Sequence, residues 1–278
     1  MSLDIHPVRE ETLLRLCDAT GDDESQVVTA QNFAVELWQP SKPARLERVG
    51  TFETIVLLSA GKARIQAVDD AIELGAGAVA IVPAGKFRVD VGESAQVAIV
   101  HSNPPERLRR LAINSARYTA TDERIVPPRR TYRRASGTSR IVRYEVADLA
   151  TLPHAERTRM IQTDAISINW VEYEGERDPT RLSPHNHSAF EQASLGLRGA
   201  FIFHLRVPWT PDSTAWRADR HELIEAPCVG VFPVGLIHTV TGSPGSGRNL
   251  LIDVFSPVRD DFVEKGWVAN SHEYERIA

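Results

Sequence analysis

Cysteine, methionine and aromatic residues are scarce in this chain of 278 residues, which has two cysteines, two methionines and 7% aromatics. Two cysteines as far apart as Cys17 and Cys228 exclude a disulfide scaffold and any cysteine-based zinc spacing, and a reducing cytosol is their simplest home. No apolar run approaches the roughly 20 residues of a membrane span. The N-terminal MSLDIHPVREETLLRLCD scatters charges where a signal peptide needs an apolar stretch. The expectation is a cytoplasmic protein with no membrane partner. A composition of 42% hydrophobic and 25% charged residues excludes disorder.

Seventeen glycines and seventeen prolines are spread along the chain, and such regular punctuation favours short strands over long helices. The length suits two domains or one large β-fold. The net charge of −5 is unevenly placed: residues 107–143 hold eleven arginines against Asp122 and Glu123, a local +9 that leaves −14 for the rest. This stretch, with VPPRRTYRR and ASGTSR, reads as an extended connection between domains. An arginine cluster can bind nucleic acid, but a connection that pairs with acidic bodies on either side needs no such partner.

An internal repeat decides the domain count. FETIVLLSAG at residues 52–61 matches FEQASLGLRG at 190–199, and Val82-Pro83-Ala84-Gly85 matches Phe232-Pro233-Val234-Gly235. The offset grows from 138 to 150 because the second copy carries a twelve-residue insertion within RVPWTPDSTAWRADRHELIEAP. Both copies end in a β-type run and a proline, VAIVHSNPP and LLIDVFSPV. The runs are short, β-branched and interrupted every eight to twelve residues, as in a sandwich or small barrel. Helices are expected only at Pro105 to Ile113 and Pro257 to Lys265, with Gly266 as a C-cap. The partition is a first barrel over 1–113, an arginine-rich linker over 114–150 and a second barrel over 151–278.

The second copy reads Ser183-Pro184-His185-Asn186-His187-Ser188-Ala189-Phe190-Glu191-Gln192. Alternation along a strand sends His185 and His187 to the same side, and His238 supplies a third imidazole. Here the sequence resembles the cupins, whose first motif is H-x-H, three or four residues, a Glu, then six residues to a Gly, and whose second is P-x-G-x-x-H. His185, His187, Gly199, Pro233, Gly235 and His238 fall in place. Counting back from Gly199, the usual carboxylate position holds Gln192, and counting forward from His187 leaves Glu191 as the alternative. The resemblance implies an all-β chain of two tandem cupin barrels and one divalent transition metal (iron, zinc, nickel or manganese) on His185, His187, Gln192 and His238. Carried back through the repeat, the ligand positions become Glu47, Val49, Thr54 and Arg88, so the first barrel is read as having lost its site. Small inward residues, Gln192, Ser194 and Gly196, against Thr54, Val56 and Leu58, predict a pocket in the second barrel only.

Cupins host many reactions, so the fold does not name one. Three imidazoles and an amide leave a divalent charge uncompensated, which suits a Lewis acid gripping an anionic carboxylate or enolate; cupins acting on unsaturated uronates and polyketide-cyclising cupins have similar sites. The leading expectation is non-redox lyase, isomerase or cyclase chemistry on a small oxygen-rich acid or ketone. An iron-dependent ring- or C–C-cleaving dioxygenase is the rival enzyme, and a metal-dependent binding or sensor protein the non-enzymatic alternative. Acid–base candidates are His204, Tyr173 and Asp253, and substrate-binding candidates are Ser194, Arg217 and Arg220. The insertion, with Trp209, Trp216 and His221, is read either as a lid over the barrel mouth or as packing between domains. A small-molecule substrate and a homodimer are the partners to expect.

Overall fold

A computed structural model of the chain describes residues 8–16, 25–137, 140–152 and 154–277; Cys17 lies outside them. Strands dominate, and the α-helices, Glu106–Leu111 and Asp260–Glu264, are shorter than the expected segments that contain them. Pro105 sits at the N-cap of the first, and Gly266, at φ +68°, follows the second.

Each repeat builds a barrel from two antiparallel sheets. In the first barrel a six-stranded sheet runs Val142–Glu145, Ala78–Val82, Thr54–Ala60, Gln96–Ser102, Phe33–Trp38, Gln26–Thr29. It faces a four-stranded sheet of Ala44–Gly50, Gly85–Val91, Lys62–Ala67 and Asp70–Gly75. In the second barrel the six strands are Thr12–Arg15, Cys228–Phe232, Gln192–Arg198, Arg248–Phe255, Ser167–Glu174 and Thr158–Gln162. They face Arg220–Glu225, Ala200–Arg206 and Ile237–Gly242.

The two kinds of sheet differ in sequence for a physical reason. Thr54–Ala60 is buried over its first six residues, because one face lines its barrel and the other packs on the second barrel; it therefore reads as a continuous apolar run. Lys62–Ala67, with one face in water, alternates buried and exposed positions. The six-stranded sheets share one core in which Val35, Leu57 and Val100 meet Ile168, Trp170, Leu195 and Ile252. The barrel interiors form separate clusters, around Trp38, Val56, Leu58 and Phe87 in the first and around Phe201, Phe203, Phe232 and Leu236 in the second.

Sheet membership does not follow the 1–113, 114–150, 151–278 partition. Thr12–Arg15 pairs with Cys228–Phe232 of the second barrel, and Val142–Glu145 pairs with Ala78–Val82 of the first. Each strand covers an edge that would otherwise offer unpaired backbone groups, and such long-range pairing leaves no local trace. The arginine-rich stretch is correspondingly engaged: Arg134 pairs with Glu53 at 2.7 Å, Arg130 with Asp164 at 3.0 Å and Arg133 with Glu275 at 2.8 Å.

Candidate metal centre

The arm that carries the first two histidines is held by a backbone bridge to the strand Ile237–Gly242 and by Gly235 N–H, which donates to His187 O at 2.8 Å. His185 N–H donates to His238 O at 3.1 Å and His238 N–H to His185 O at 2.8 Å. His185 and His238 thus stand directly opposite one another, with His187 two residues along on the same side. Nitrogens of these three rings lie within 4.8 Å of one another. His185 Nδ1 lies 2.9 Å from Ser183 O and His238 Nδ1 lies 3.0 Å from Leu236 O; donation to these carbonyls leaves each Nε2 as a lone-pair donor. Stacking fixes the ring planes: His238 lies on Phe232 at 4.2 Å and His187 on Phe190 at 4.4 Å between centroids.

Gln192 closes the group. Its Oε1 lies 2.9 Å from His187 Nε2, 3.2 Å from His238 Nε2 and 3.4 Å from His185 Nε2. Its Nε2 donates to Ser194 Oγ at 3.2 Å and to Asp253 Oδ1 at 3.1 Å, and the Ser194 hydroxyl donates to the same carboxylate oxygen. This arrangement orients the amide so that its oxygen, not its nitrogen, faces the imidazoles. Burial lowers the His187 pKa to about 4, helped by the charge of His185, and burial with the same charge lowers His238 to about 3. Both are unprotonated at neutral pH, the state a metal ligand needs. The donors therefore fit a divalent transition ion: three nitrogen atoms and one amide oxygen converge, and each of the two rings anchored through Nδ1 presents its free Nε2. Among the described residues this is the one group of three or more His, Cys, Asp or Glu side chains that could hold a metal.

Glu191 faces the other way. Its carboxylate accepts from Gln31 N at 2.6 Å and Tyr118 Oη at 3.1 Å and lies 3.5 Å from Arg9, so it ties the second barrel to the first instead of facing the histidines. Strand alternation separates it from Gln192.

A cavity of about 480 Å³ opens beside the donors, lined by Tyr173, Asp253, Asn169 and Phe255 from the inner face of the six-stranded sheet and by Arg157, Arg177 and Arg259. Burial raises the pKa of both Tyr173 and Asp253. Ser194 is fully buried behind Gln192 and supports it instead of facing the cavity. The expected hollow at Gly196 is filled, since a Cβ there would come within 2.7 Å of the Phe201 ring and Cys228 Sγ; the cavity lies at the mouth, around the histidines. Cys228 is a buried free thiol whose pKa burial pushes up to about 12.

The other candidates lie elsewhere. His204 points off the outer face of its strand, with Nδ1 2.8 Å from His221 Nδ1. Arg217 and Arg220 both bind the Glu11 carboxylate, at 2.9 and 2.6 Å. Trp209 and Trp216 stack on each other at 4.7 Å, and Trp209 is 76% exposed. Among the described residues the insertion lines no part of the cavity; Arg217 and Arg220 grip the segment that leads into Thr12–Arg15. Sequence reading missed Arg157 and Arg177 because neither belongs to a motif, and only the barrel's closure brings them to its mouth.

In the first barrel the repeat slips by one residue. Glu47, Val49 and Arg88 lie on the outward face, Val49 being 49% exposed and Arg88 bound to Asp90 and Gln66; of the four expected positions only Thr54 faces inward. The position opposite His238 is matched by Arg48, the register partner of Phe87. A one-residue change in the connecting arm exchanges every side chain between faces. Arg48 binds the buried Glu36 through Nε at 3.0 Å, and His101 Nε2 lies 2.9 Å from the same carboxylate, so an ion cluster occupies the place where the second barrel has its donors. A pocket is not confined to the second barrel either: about 520 Å³ of space lies between strands Ala44–Gly50 and Gly85–Val91 and helix Glu106–Leu111.

Burial alone would raise the Glu36 pKa, but His101 and Arg48 outweigh it and lower it to about 2 from 4.5. A lowered carboxylate pKa stabilises the fold above the unfolded value and loses that contribution as pH falls through the folded one, here between pH 4.5 and 2. About 3 kcal/mol is at stake. Urea titrations across this range should show the loss, with a flatter acid limb in Glu36→Gln; identical limbs would remove Glu36 from the account.

No family model matches the chain, and no curated protein matches it in sequence. Solved structures do. Oxalate decarboxylase from Lactobacillus farciminis, in a formate complex, superposes with a TM-score of 0.57 at 16% identity, covering 91% of this chain and 86% of its own. AerE from Microcystis aeruginosa does so with 0.57 at 11% identity, covering 91% and 98%. A putative glyoxylate-induced protein from Pseudomonas aeruginosa gives 0.54 at 12%, covering 84% and 80%. At these identities the likeness is one of fold, and the chain folds as two tandem cupin barrels.

Proposed function

We propose that the protein is a metal-dependent bicupin enzyme whose second barrel alone holds the metal, and that it acts on a small oxygen-rich acid or ketone by non-redox chemistry. The observation that carries this reading is the donor set: three imidazole nitrogens and the Gln192 oxygen bring no negative charge to the centre. A divalent ion held there keeps its full charge for an anionic substrate and acts as a Lewis acid on a carboxylate or enolate oxygen. That oxalate decarboxylase shares the fold supports a small acid as substrate. Within the chain, Ser183 O and Leu236 O hold the ring orientations, and Ser194 with Asp253 holds the Gln192 amide. Tyr173 Oη and the Asp253 carboxyl are acid–base groups on the cavity wall, placed to give or take the proton that lyase or isomerase chemistry requires. No described helix is long and apolar enough to cross a membrane.

The test is elemental analysis followed by turnover. Roughly one divalent metal per chain, with conversion of keto acids or uronates in the absence of oxygen, is the expected result. Oxygen uptake by the iron-loaded protein with phenolic acids or diketones would replace the reading with a dioxygenase, and ligand binding without turnover would replace it with a binding protein.

A further inference from the structure

Among the described residues, the two guanidinium groups of Arg157 and Arg177 at the mouth of the second barrel share one acid on the cavity wall, Asp253, whose charge reaches Arg177. Arg157 immediately precedes Thr158–Gln162, its carbonyl accepting from Glu172 N at 2.9 Å. Arg177 follows Gly175, whose φ of +65° turns the chain back across the barrel end, and donates from Nη1 to Val240 O at 3.0 Å. Both side chains line the cavity and both residues are partly buried. They stand close enough to interact: burial and then the Arg157 charge lower the Arg177 pKa, against a smaller opposing effect of Tyr173 and Asp253. Arg259, on the same wall, binds Asp261 at 2.7 and 2.8 Å and lies over the Phe262 ring.

The cavity wall has one acid, Asp253, which offsets part of the Arg177 charge while its Oδ1 accepts from Gln192 and Ser194. Two adjacent, partly desolvated cations that share a single nearby carboxylate carry more positive than negative charge, an unfavourable balance. They become favourable when an anion enters, and a planar guanidinium pair matches carboxylate geometry through bidentate hydrogen bonds. Arg217 and Arg220, expected from the sequence for this task, are consumed by Glu11.

We propose that Arg157 and Arg177 form an anion subsite that fixes specificity, selecting a small acid with a second anionic group remote from the one that meets the histidine donors. The proposal rests on the metal reading only for the position of the first group. The cavity, about 480 Å³, has room for many waters at roughly 30 Å³ each, so it suits acids longer than two carbons. Tyr173, beside both guanidinium groups, then stands between the two ends of the ligand.

The experiment is calorimetric binding of malonate, succinate and glutarate, with butyrate as the monoanion control, to wild-type protein, Arg157→Gln and Arg177→Gln, with metal content measured on each sample. At least one dicarboxylate should bind wild type roughly tenfold or more tightly than butyrate. Either substitution should reduce that preference about tenfold, leaving butyrate affinity and metal content unchanged. Equal affinity for the dicarboxylates and butyrate, or an undiminished preference in both variants, would overturn the subsite. A wild-type protein without metal would instead sink the proposed function, while a dicarboxylate preference that still depends on the arginines would leave the subsite standing.

Discussion

Replacing His238 with alanine is expected to take the bound divalent metal from roughly one per chain to none. His238 supplies one of three nitrogens, its Nε2 lies 3.2 Å from Gln192 Oε1, and its ring is 2% exposed and stacked on Phe232. With one nitrogen gone, two imidazoles and an amide oxygen remain, and water cannot match the lost donor. His187→Ala should behave in the same way. Activity should fall with the metal, by at least about a thousandfold if the ion carries the substrate charge. Elemental analysis of folded protein, verified by circular dichroism, is the measurement. Arg88→Ala is the control: Arg88 sits on the outer face of the first barrel with Asp90 and Gln66, and its loss should leave metal content unchanged. Metal loss in that variant would mean that the first barrel takes part in the site.

Removing Arg134 should destabilise the whole chain by about 3–5 kcal/mol, because it strands a buried carboxylate. Arg134 and Glu53 side chains are each 1% exposed and 2.7 Å apart. Glu53 also accepts from Tyr274 Oη at 2.8 Å and from Asp164 N at 3.0 Å, so the pair binds the first barrel, the connection and the C-terminal strand Tyr274–Arg276. Asp164 lies beside it, raised to about 7 by burial and by the charge of Glu53; without Arg134 the two acids repel with only Arg130 to offset them. Arg133, one residue away and 67% exposed, pairs with Glu275, and Arg133→Ala should cost less than about 1 kcal/mol. Denaturant titration of the two variants distinguishes them. Equal, small losses would show that the connection is a loose tether and not a built part of both barrels.

The spacing of His185, His187 and His238 with Gly199, Pro233 and Gly235 was enough to predict that the three imidazoles converge, since each depends on alternation along a strand and on turns that glycine permits. Gly199, at φ +97°, would put a Cβ 2.1 Å from Asn249 Oδ1, which is why the motif keeps a glycine there. The choice of Gln192 over Glu191 was legible only by counting back from that turn. In the first barrel the count failed, because the arm between motif and strand differs by one residue and a period of two forgives no slip. Arginine roles were less legible still: Arg217 and Arg220 had the right chemistry for a carboxylate and find one in Glu11, within the protein.

Repeated β-barrels and a cluster of three histidines in the second follow from local pattern alone, because strand period, turn residues and motif spacing act over a few neighbours. Tertiary structure decided which strands complete which sheet, what fills the first barrel's centre and which arginines reach the cavity. Those outcomes depend on contacts between residues that are not neighbours in sequence, from Arg48 and His101 with Glu36 or Val142 with Ile81 to Thr12 with Val231 and Glu53 with Tyr274, and such pairing is set by packing and by the need to satisfy buried charge, neither of which a run of residues displays.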